Sequence, residues 1–375
     1  MFGSFSNQLD DLLQRVGHKL QISKTQRNLA EQRYNAVGTW LSEDEKFFKG
    51  KDVEIYPQGS LAISTTVKPL QKQEYDLDLV CEIKENWQGK DPIKLLDSIE
   101  RRLKEDDTYK KMVERKNRCI RLNYANEFHM DILPAHPTDK GNNTNVKVPD
   151  RKAEDWKDSN PIGYREWFNE RAEKYDKILF EKNAEATIEP LPDDENPNLK
   201  PPLKRAVQLI KRYRDVYFEN HPDSAPISIV LTTLAGNHYA GHLSVNSTIE
   251  DILQKILFEI SKEDRLKVCN PSNPNEDLSE RWNDKPELYT SFVTFILDFK
   301  QKWDELNKLQ GIAEVAKELK AMFGENVITE SLKEQGDIMG KSRTANTLGI
   351  ASSGILVAAA KDPVIPVRKN TFYGE

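Results

Sequence analysis

The sequence predicts an α+β protein of two lobes, a mixed sheet with helices packed on a C-terminal helical domain. Three observations predict it. Short β-rich segments with alternating apolar residues occupy residues 53–83 and 118–133. From residue 203 onward the apolar residues recur almost only at helical spacing. Between these regions lie two polar, proline-rich stretches, 134–161 and 189–202, which read as loops and mark a boundary.

The elements follow in order. Leu9, Leu12, Leu13, Val16 and Leu20, then Leu29, Tyr34, Val37 and Leu41, recur at steps of mostly three and four, which predicts one or two amphipathic helices over residues 5–48. Strands follow over 53–83, broken at Gly59-Ser60 and at a polar turn around residues 71–73. A helix is expected over 92–114, then a hairpin of 118–124 and 127–133 turning at Ala125-Asn126. Further helices are expected over 164–180, 203–219, 227–239, 248–261, 286–309 and 312–323. From residue 335 the chain is rich in Gly, Ser, Ala and Lys without a helical face, which predicts a mobile tail. The expected divisions are therefore N-terminal helices packing across both lobes (1–48), a sheet core (49–163), a helical lobe (164–330) and a flexible tail (331–375).

With 375 residues, 37% hydrophobic and 31% charged, the chain can build a substantial core, so disorder as a whole is excluded. Its formal net charge of -6 argues against non-specific coating of nucleic acid. Cys81, Cys119 and Cys269 are odd in number and widely spaced, which fits a reducing compartment and neither a disulfide framework nor a zinc ribbon. The N-terminus has no uninterrupted apolar run of signal-peptide type, and residues 349–360 fall well short of the roughly 20 needed to span a bilayer. A cytoplasmic protein without membrane attachment is expected.

The segment from Gln58 through Gly59, Ser60 and Leu61 to Thr66, followed by Glu74-Tyr75-Asp76-Leu77-Asp78-Leu79-Val80, carries the chemistry. Residues two apart share one face of a strand, so Asp76 and Asp78 stand side by side while Leu77 and Leu79 enter the core. Adjacent carboxylates repel each other, and a hard cation such as Mg²⁺ relieves that repulsion. In His129-Met130-Asp131-Ile132-Leu133, Met130 and Ile132 are core residues, and a neighbouring strand could deliver Asp131 to the pair. Three such carboxylates can hold two Mg²⁺ ions, Mn²⁺ being an alternative, one activating a hydroxyl and the other clamping a leaving pyrophosphate. Gly59-Ser60 offers close backbone approach to nucleotide phosphates. Each piece alone has a plain reading, a solvated strand face or a turn; the combination favours catalysis. His129 is not needed as a base, and Tyr75, Tyr239 and Trp282 read as core aromatics. The basic residues Lys110, Lys111, Arg115, Lys116, Arg118 and Arg121 are dispersed with Glu114 among them, so a nucleic-acid activator is not expected.

This constellation resembles the nucleotidyltransferase fold of polymerase-beta-like enzymes, and over residues 53–303 the layout is similar to the bacterial CD-NTases, cyclic-oligonucleotide synthases related to oligoadenylate synthetase and the cyclic GMP-AMP synthases. On the helix Leu203-Lys204-Arg205-Ala206-Val207-Gln208-Leu209-Ile210-Lys211-Arg212-Tyr213, Lys211 resembles the family lysine that holds the donor triphosphate; the plain alternative is a solvated charge run. Ser228 matches a family serine on the following helix, or else caps that helix. Residues 269–277 resemble a proline-punctuated family loop, departing from it in carrying Asp277 where asparagine is common.

The resemblance implies an Mg²⁺-dependent transferase that joins NTPs (ATP, with GTP also possible) into a cyclic di- or trinucleotide, expected to contain adenine. It would have Asp76, Asp78 and Asp131 as catalytic metal ligands and Gly59, Ser60, Lys211 and Ser228 as nucleotide contacts. It further implies anti-phage (CBASS) signalling through a separate effector. Ubiquitin-like conjugation machinery acting on the tail is also implied, Glu375 after Gly374 having first to be trimmed. A linear adenylating enzyme, or one that nucleotidylates a small molecule or protein, would use the same carboxylates.

Overall fold

The computed structural model describes residues 3–70, 74–125, 127–139, 144–173 and 200–344, together with three short strands beyond them. Helices α1 (Gly3–Leu20) and α2 (Lys24–Ser42) precede strand β1 (Val53–Gln58), a short turn of helix α3 (Gly59–Ala62) and strand β2 (Tyr75–Ile83). Helix α4 (Pro92–Lys104) crosses to β3 (Val113–Arg115), β4 (Ile120–Tyr124) and β5 (Phe128–Pro137). Then come β6 (Val146–Asp150), β7 (Asp155–Ser159) and α5 (Pro161–Glu173). The second lobe contains α6 (Pro202–Tyr217), α7 (Ser228–His238), α8 (Val245–Ile260), a small hairpin β8 (Cys269–Asn270) and β9 (Asn273–Asp277), α9 (Arg281–Asp284), α10 (Pro286–Leu306), α11 (Ile312–Phe323) and α12 (Glu325–Thr344).

The sheet runs β1-β2-β5-β4-β3, with β6 on the C-terminal part of β5 and β7 on β6. It is mixed, as expected: β2 and β5 are parallel and the other pairs antiparallel. Parallel neighbours require a crossover connection, which α4 supplies. One face of the sheet buries Leu77, Leu79, Met130 and Ile132 against Tyr34, Val37 and Leu41 of α2 and Leu96, Ile99 and Leu103 of α4. Asp91 caps α4 by accepting from the Ile93 amide, and Ser23 caps α2 in a reciprocal bond with Gln26. Helix α1 instead inserts Leu9, Leu12, Leu13 and Val16 into the core of the helical lobe. That core is built around α6, with Phe292, Phe295, Phe299 and Trp303 of α10 packed on it.

Three expectations are corrected. Residues 134–161 are no mere loop: β5 continues to Pro137, and β6 and β7 form a ribbon. The stretch reads as polar because Lys147 pairs with Asp158, and Asp150 with Arg118, across strands exposed on one side. The second lobe is not wholly helical, since 269–277 is a hairpin. The helical pattern does not end at residue 335, because α12 runs to Thr344. Its contact with α1 is partly polar, Gln335 donating to Asp11 and Arg15 and Lys19 pairing with Glu334, so no apolar stripe announces it. The turn at 71–73, the helix end beyond 173, most of the 189–202 stretch and the terminal Gly374-Glu375 lie outside the described residues. The described cysteines are free, and among the described residues no helix is long and apolar enough to cross a membrane.

Candidate active site

A cavity of about 540 Å³ opens between the sheet and the helical lobe, and Gly59, Ser60, Asp76, Asp78, Lys211 and Ser228 all line it. Its size suits a small-molecule ligand. Six of the seven residues expected from the sequence are therefore brought together. The seventh, Asp131, stands one strand over, directly opposite Asp78 in the parallel register, with Asp76 opposite His129. The three carboxylates thus share one face of the sheet, but Asp131 is not on the cavity wall.

Asp131 is instead engaged by Arg121, one of the dispersed basic residues. It lies opposite Asp131 on β4 and grips that carboxylate with two hydrogen bonds, Nε to Oδ1 at 2.7 Å and Nη2 to Oδ2 at 2.8 Å; Nη2 also reaches Asp76 at 3.3 Å. Alternation could have found it, since Ile120 and Leu122 enter the core and leave Arg121 on the acidic face. Three more of the basic residues are similarly engaged, Arg115 with Asp97 and Glu100, Arg118 with Asp150 and Glu280, and Lys116 with Glu114, while Lys110 and Lys111 are exposed. His129 sits between Glu74 at 2.6 Å and Asp76 at 3.5 Å.

No cation neutralises Asp78 in an ion pair among the described residues. Burial, then the charges of Asp76 and Asp131, push its carboxyl up to about 8. Asp76, at the mouth of the cleft with 57% of its side chain exposed, is also raised, by partial loss of solvent and by Asp131, against the pull of Arg121 and His129. Two neighbouring oxygen donors under mutual repulsion suit a hard divalent cation. Among the described residues, however, no three carboxylate or imidazole groups stand ready to grasp one ion, because Arg121 occupies Asp131.

Gly59 is required on two counts. Its φ is +64°, and a Cβ there would lie 2.2 Å from Oδ2 of Asp78. Gly59→Ala should therefore cost about 2 kcal/mol or more of stability and displace Asp78, lowering turnover by at least tenfold. Thermal melts and initial rates check this, and unchanged rates would contradict it.

The charge run on α6 does not face water. Lys204, Arg205, Lys211 and Arg212 are all buried. The helix and Lys200, two residues before it, pin the chain after Ser60: Lys200 donates to the Ser64 carbonyl, Lys211 to the Thr65 carbonyl and hydroxyl, Gln208 to the Thr66 carbonyl and Arg212 to the Lys68 carbonyl. Lys211, desolvated and repelled by Arg214, has its ammonium pulled down to about 7. Ser228 opens α7 without capping it, since Ile227 occupies the cap position; its hydroxyl accepts from Arg214 at 2.6 Å, and Arg214 also pairs with Asp215. Tyr75, Tyr239 and Trp282 are core residues, although Tyr75 also touches the cavity. Asp277, singled out by resemblance, is turned to Ser279, and Glu276 and Asn270 face the cavity instead.

Comparison with known proteins shows the family to which the chain belongs. Residues 4–172 match the model of the Second Messenger Oligonucleotide or Dinucleotide Synthetase domain. The chain is 39% identical over 371 residues to the c-di-GMP synthase of Roseivirga ehrenbergii, covering 98% of each. It is 26% identical to the cyclic dinucleotide synthase CdnG of Bradyrhizobium diazoefficiens, covering 96% of this chain and 91% of that one. The structure of that CdnG in complex with GTP superposes with a TM-score of 0.69 over 88% of this chain and 99% of the other, at 24% identity. The fold is that of the polymerase-beta-like nucleotidyltransferases. Within that class the chain belongs to the bacterial CD-NTases, the second-messenger oligonucleotide and dinucleotide synthetases.

Proposed function

We propose that this chain joins two NTPs in the cleft, closes them into a cyclic dinucleotide and releases pyrophosphate at each step. The observation that carries the reading is the pair Asp76 and Asp78 on the cavity wall, Asp78 against Gly59, with Asp131 in register on the next strand. Gly59 and Ser60 bring backbone close to the donor's phosphates, and Lys211 and Arg214 set positive charge beside them. A ribose hydroxyl of the second nucleotide attacks the donor's α-phosphorus, and the bond to pyrophosphate breaks; repetition with the roles exchanged closes the ring. Asp76 and Asp78, joined by Asp131 once Arg121 lets it go, are the residues that would hold Mg²⁺ or Mn²⁺, and two such ions supply hydroxyl activation and charge neutralisation at the leaving group.

The Roseivirga relative is named for c-di-GMP and the solved CdnG holds GTP, so guanine is favoured here over the adenine expected from the resemblance. A cytoplasmic role in anti-phage signalling through a separate effector is part of the same reading. The test incubates the purified protein with each α-³²P-labelled NTP among the other three and a divalent cation, treats with phosphatase and resolves the products. A phosphatase-resistant product labelled from GTP is expected. Phosphatase-sensitive ladders would overturn the cyclic reading in favour of linear transfer.

A further inference from the structure

The cavity has a second wall, contributed by neither the acidic strands nor α6. Ser159 and Asn160, at the junction of β7 and α5, meet the β8–β9 hairpin there. Asn160 Nδ2 donates to the Ser272 carbonyl at 3.1 Å while its Oδ1 accepts from the Gly163 amide at 2.9 Å. On this wall stands Glu276. Its Oε2 accepts from Asn270 Nδ2 at 2.7 Å and its Oε1 from the Ser159 hydroxyl at 3.1 Å. Among the described residues no lysine or arginine forms an ion pair with it; the nearby Arg118 is committed to Asp150 at 2.8 Å and Glu280 at 2.5 Å. Burial raises its pKa from the ordinary glutamate value, against the pull of its hydrogen-bond donors and of Arg118. A half-buried carboxylate facing a ligand cavity, fixed only by neutral donors and without an ion-pair partner among the described residues, is costly unless a ligand completes it.

The chemistry of a nucleobase supplies such a partner. A carboxylate only accepts, with room for about four hydrogen bonds; Ser159 takes one on Oε1, Asn270 one on Oε2, and the backbone amide of Asn160 also lies against it, which leaves the remaining capacity facing the cavity. Among the common bases, guanine alone presents two adjacent donors, N1–H and the N2 amino group, on its Watson–Crick edge. Adenine offers one donor beside a ring-nitrogen acceptor that would face the carboxylate's lone pairs, and uracil a donor flanked by two carbonyls. We propose that Glu276 is a specificity-determining residue, its carboxylate accepting from the Watson–Crick edge of a guanine and so selecting GTP over ATP at one of the two nucleotide positions. This rests on the reading of the cleft as the NTP site.

The alternative is that Glu276 merely ties the hairpin to β7. Glu276→Gln separates the two, since glutamine keeps an acceptor oxygen for the hairpin but loses the second acceptor that guanine needs. Equilibrium binding of the α,β-methylene analogues of GTP, ATP and inosine triphosphate, which cannot be transferred, is measured on the full chain with Mg²⁺. The wild type is expected to bind the GTP analogue more tightly than the other two by roughly tenfold to a hundredfold, the worth of one to two hydrogen bonds to a charged group. Glu276→Gln should lose most of that preference while binding the ATP analogue within about threefold of wild type. Retention of the full preference by the variant would overturn the proposal. The inosine comparison on the wild type needs no variant: equal affinity for the guanosine and inosine analogues would also overturn it. Failure of the wild type to bind any analogue would instead overturn the reading of the cleft itself, and this proposal with it.

Discussion

Asp78→Asn is expected to reduce product formation by about a thousandfold or more while making the free protein more stable. The loss follows from the position of the residue: Asp78 is the carboxylate deepest in the cleft, against Gly59 and in register with Asp131, and an amide neither neutralises nor ligates a divalent cation as a carboxylate does. The gain follows from electrostatics. The folded-state pKa of Asp78 is about 8, above its unfolded value near 3.8. Below pH 4 the group is protonated in both states and carries no penalty. Between pH 4 and 8 the unfolded chain releases a proton that the folded chain retains, so stability falls progressively as pH rises, and above 8 the full penalty remains, on the order of a few kcal/mol. Thermal melts from pH 4.5 to 8.5 should show a steeper decline for wild type than for Asp78→Asn. Mg²⁺ or Mn²⁺ should raise the wild-type melting temperature at pH 8 and leave that of the variant almost unchanged. A variant retaining a tenth of wild-type turnover would contradict the assignment.

Lys211→Met should weaken use of the donor nucleotide by a factor on the order of a hundred, seen mainly in kcat/KM, because the only ammonium on α6 that reaches the cavity wall is removed while its length is kept. The folded-state pKa of Lys211, about 7, lies below its unfolded value near 10.5. Charged Lys211 is therefore a destabilising group, in full below pH 7, and the penalty fades as pH rises from 7 towards 10.5. Methionine removes it, so the variant should melt higher than wild type, most clearly at pH 6. A triphosphate restores the charge, so GTP binding to wild type at pH 8 should take up a proton. Calorimetry in buffers of different ionisation enthalpy measures this uptake, and its absence in wild type would show that Lys211 does not meet the phosphates.

The acidic face was legible because strand alternation is local: Leu77, Leu79, Met130 and Ile132 enter the core and thereby aim Asp76, Asp78 and Asp131 outward. The parallel register that sets Asp78 opposite Asp131 was not legible, because pairing across a helical crossover depends on contacts some fifty residues apart in sequence. Arg121 was legible in principle, since alternation and the hairpin turn at Ala125-Asn126 place it opposite Asp131, but its charge groups it with the neighbouring basic residues. The buried cations of α6 look like a water-facing run because nothing in their own sequence announces the carbonyls of residues 64–68 that receive them. Strands β6 and β7 were hidden by their charges, and α12 by its polar contact with α1. Glu276 was passed over for Asp277 because adjacent residues of a strand face opposite ways, and resemblance alone does not set which of them turns inward.

The most direct test of the central claim is a count of pyrophosphate released against nucleotide incorporated, with the purified chain, GTP and Mg²⁺. Ring closure releases one pyrophosphate for every nucleotide in the product, and the product has no terminal phosphate. That ratio should be one, and Asp78→Asn should give no measurable release. A linear dinucleotide would give one pyrophosphate for every two nucleotides, and that result would contradict ring closure.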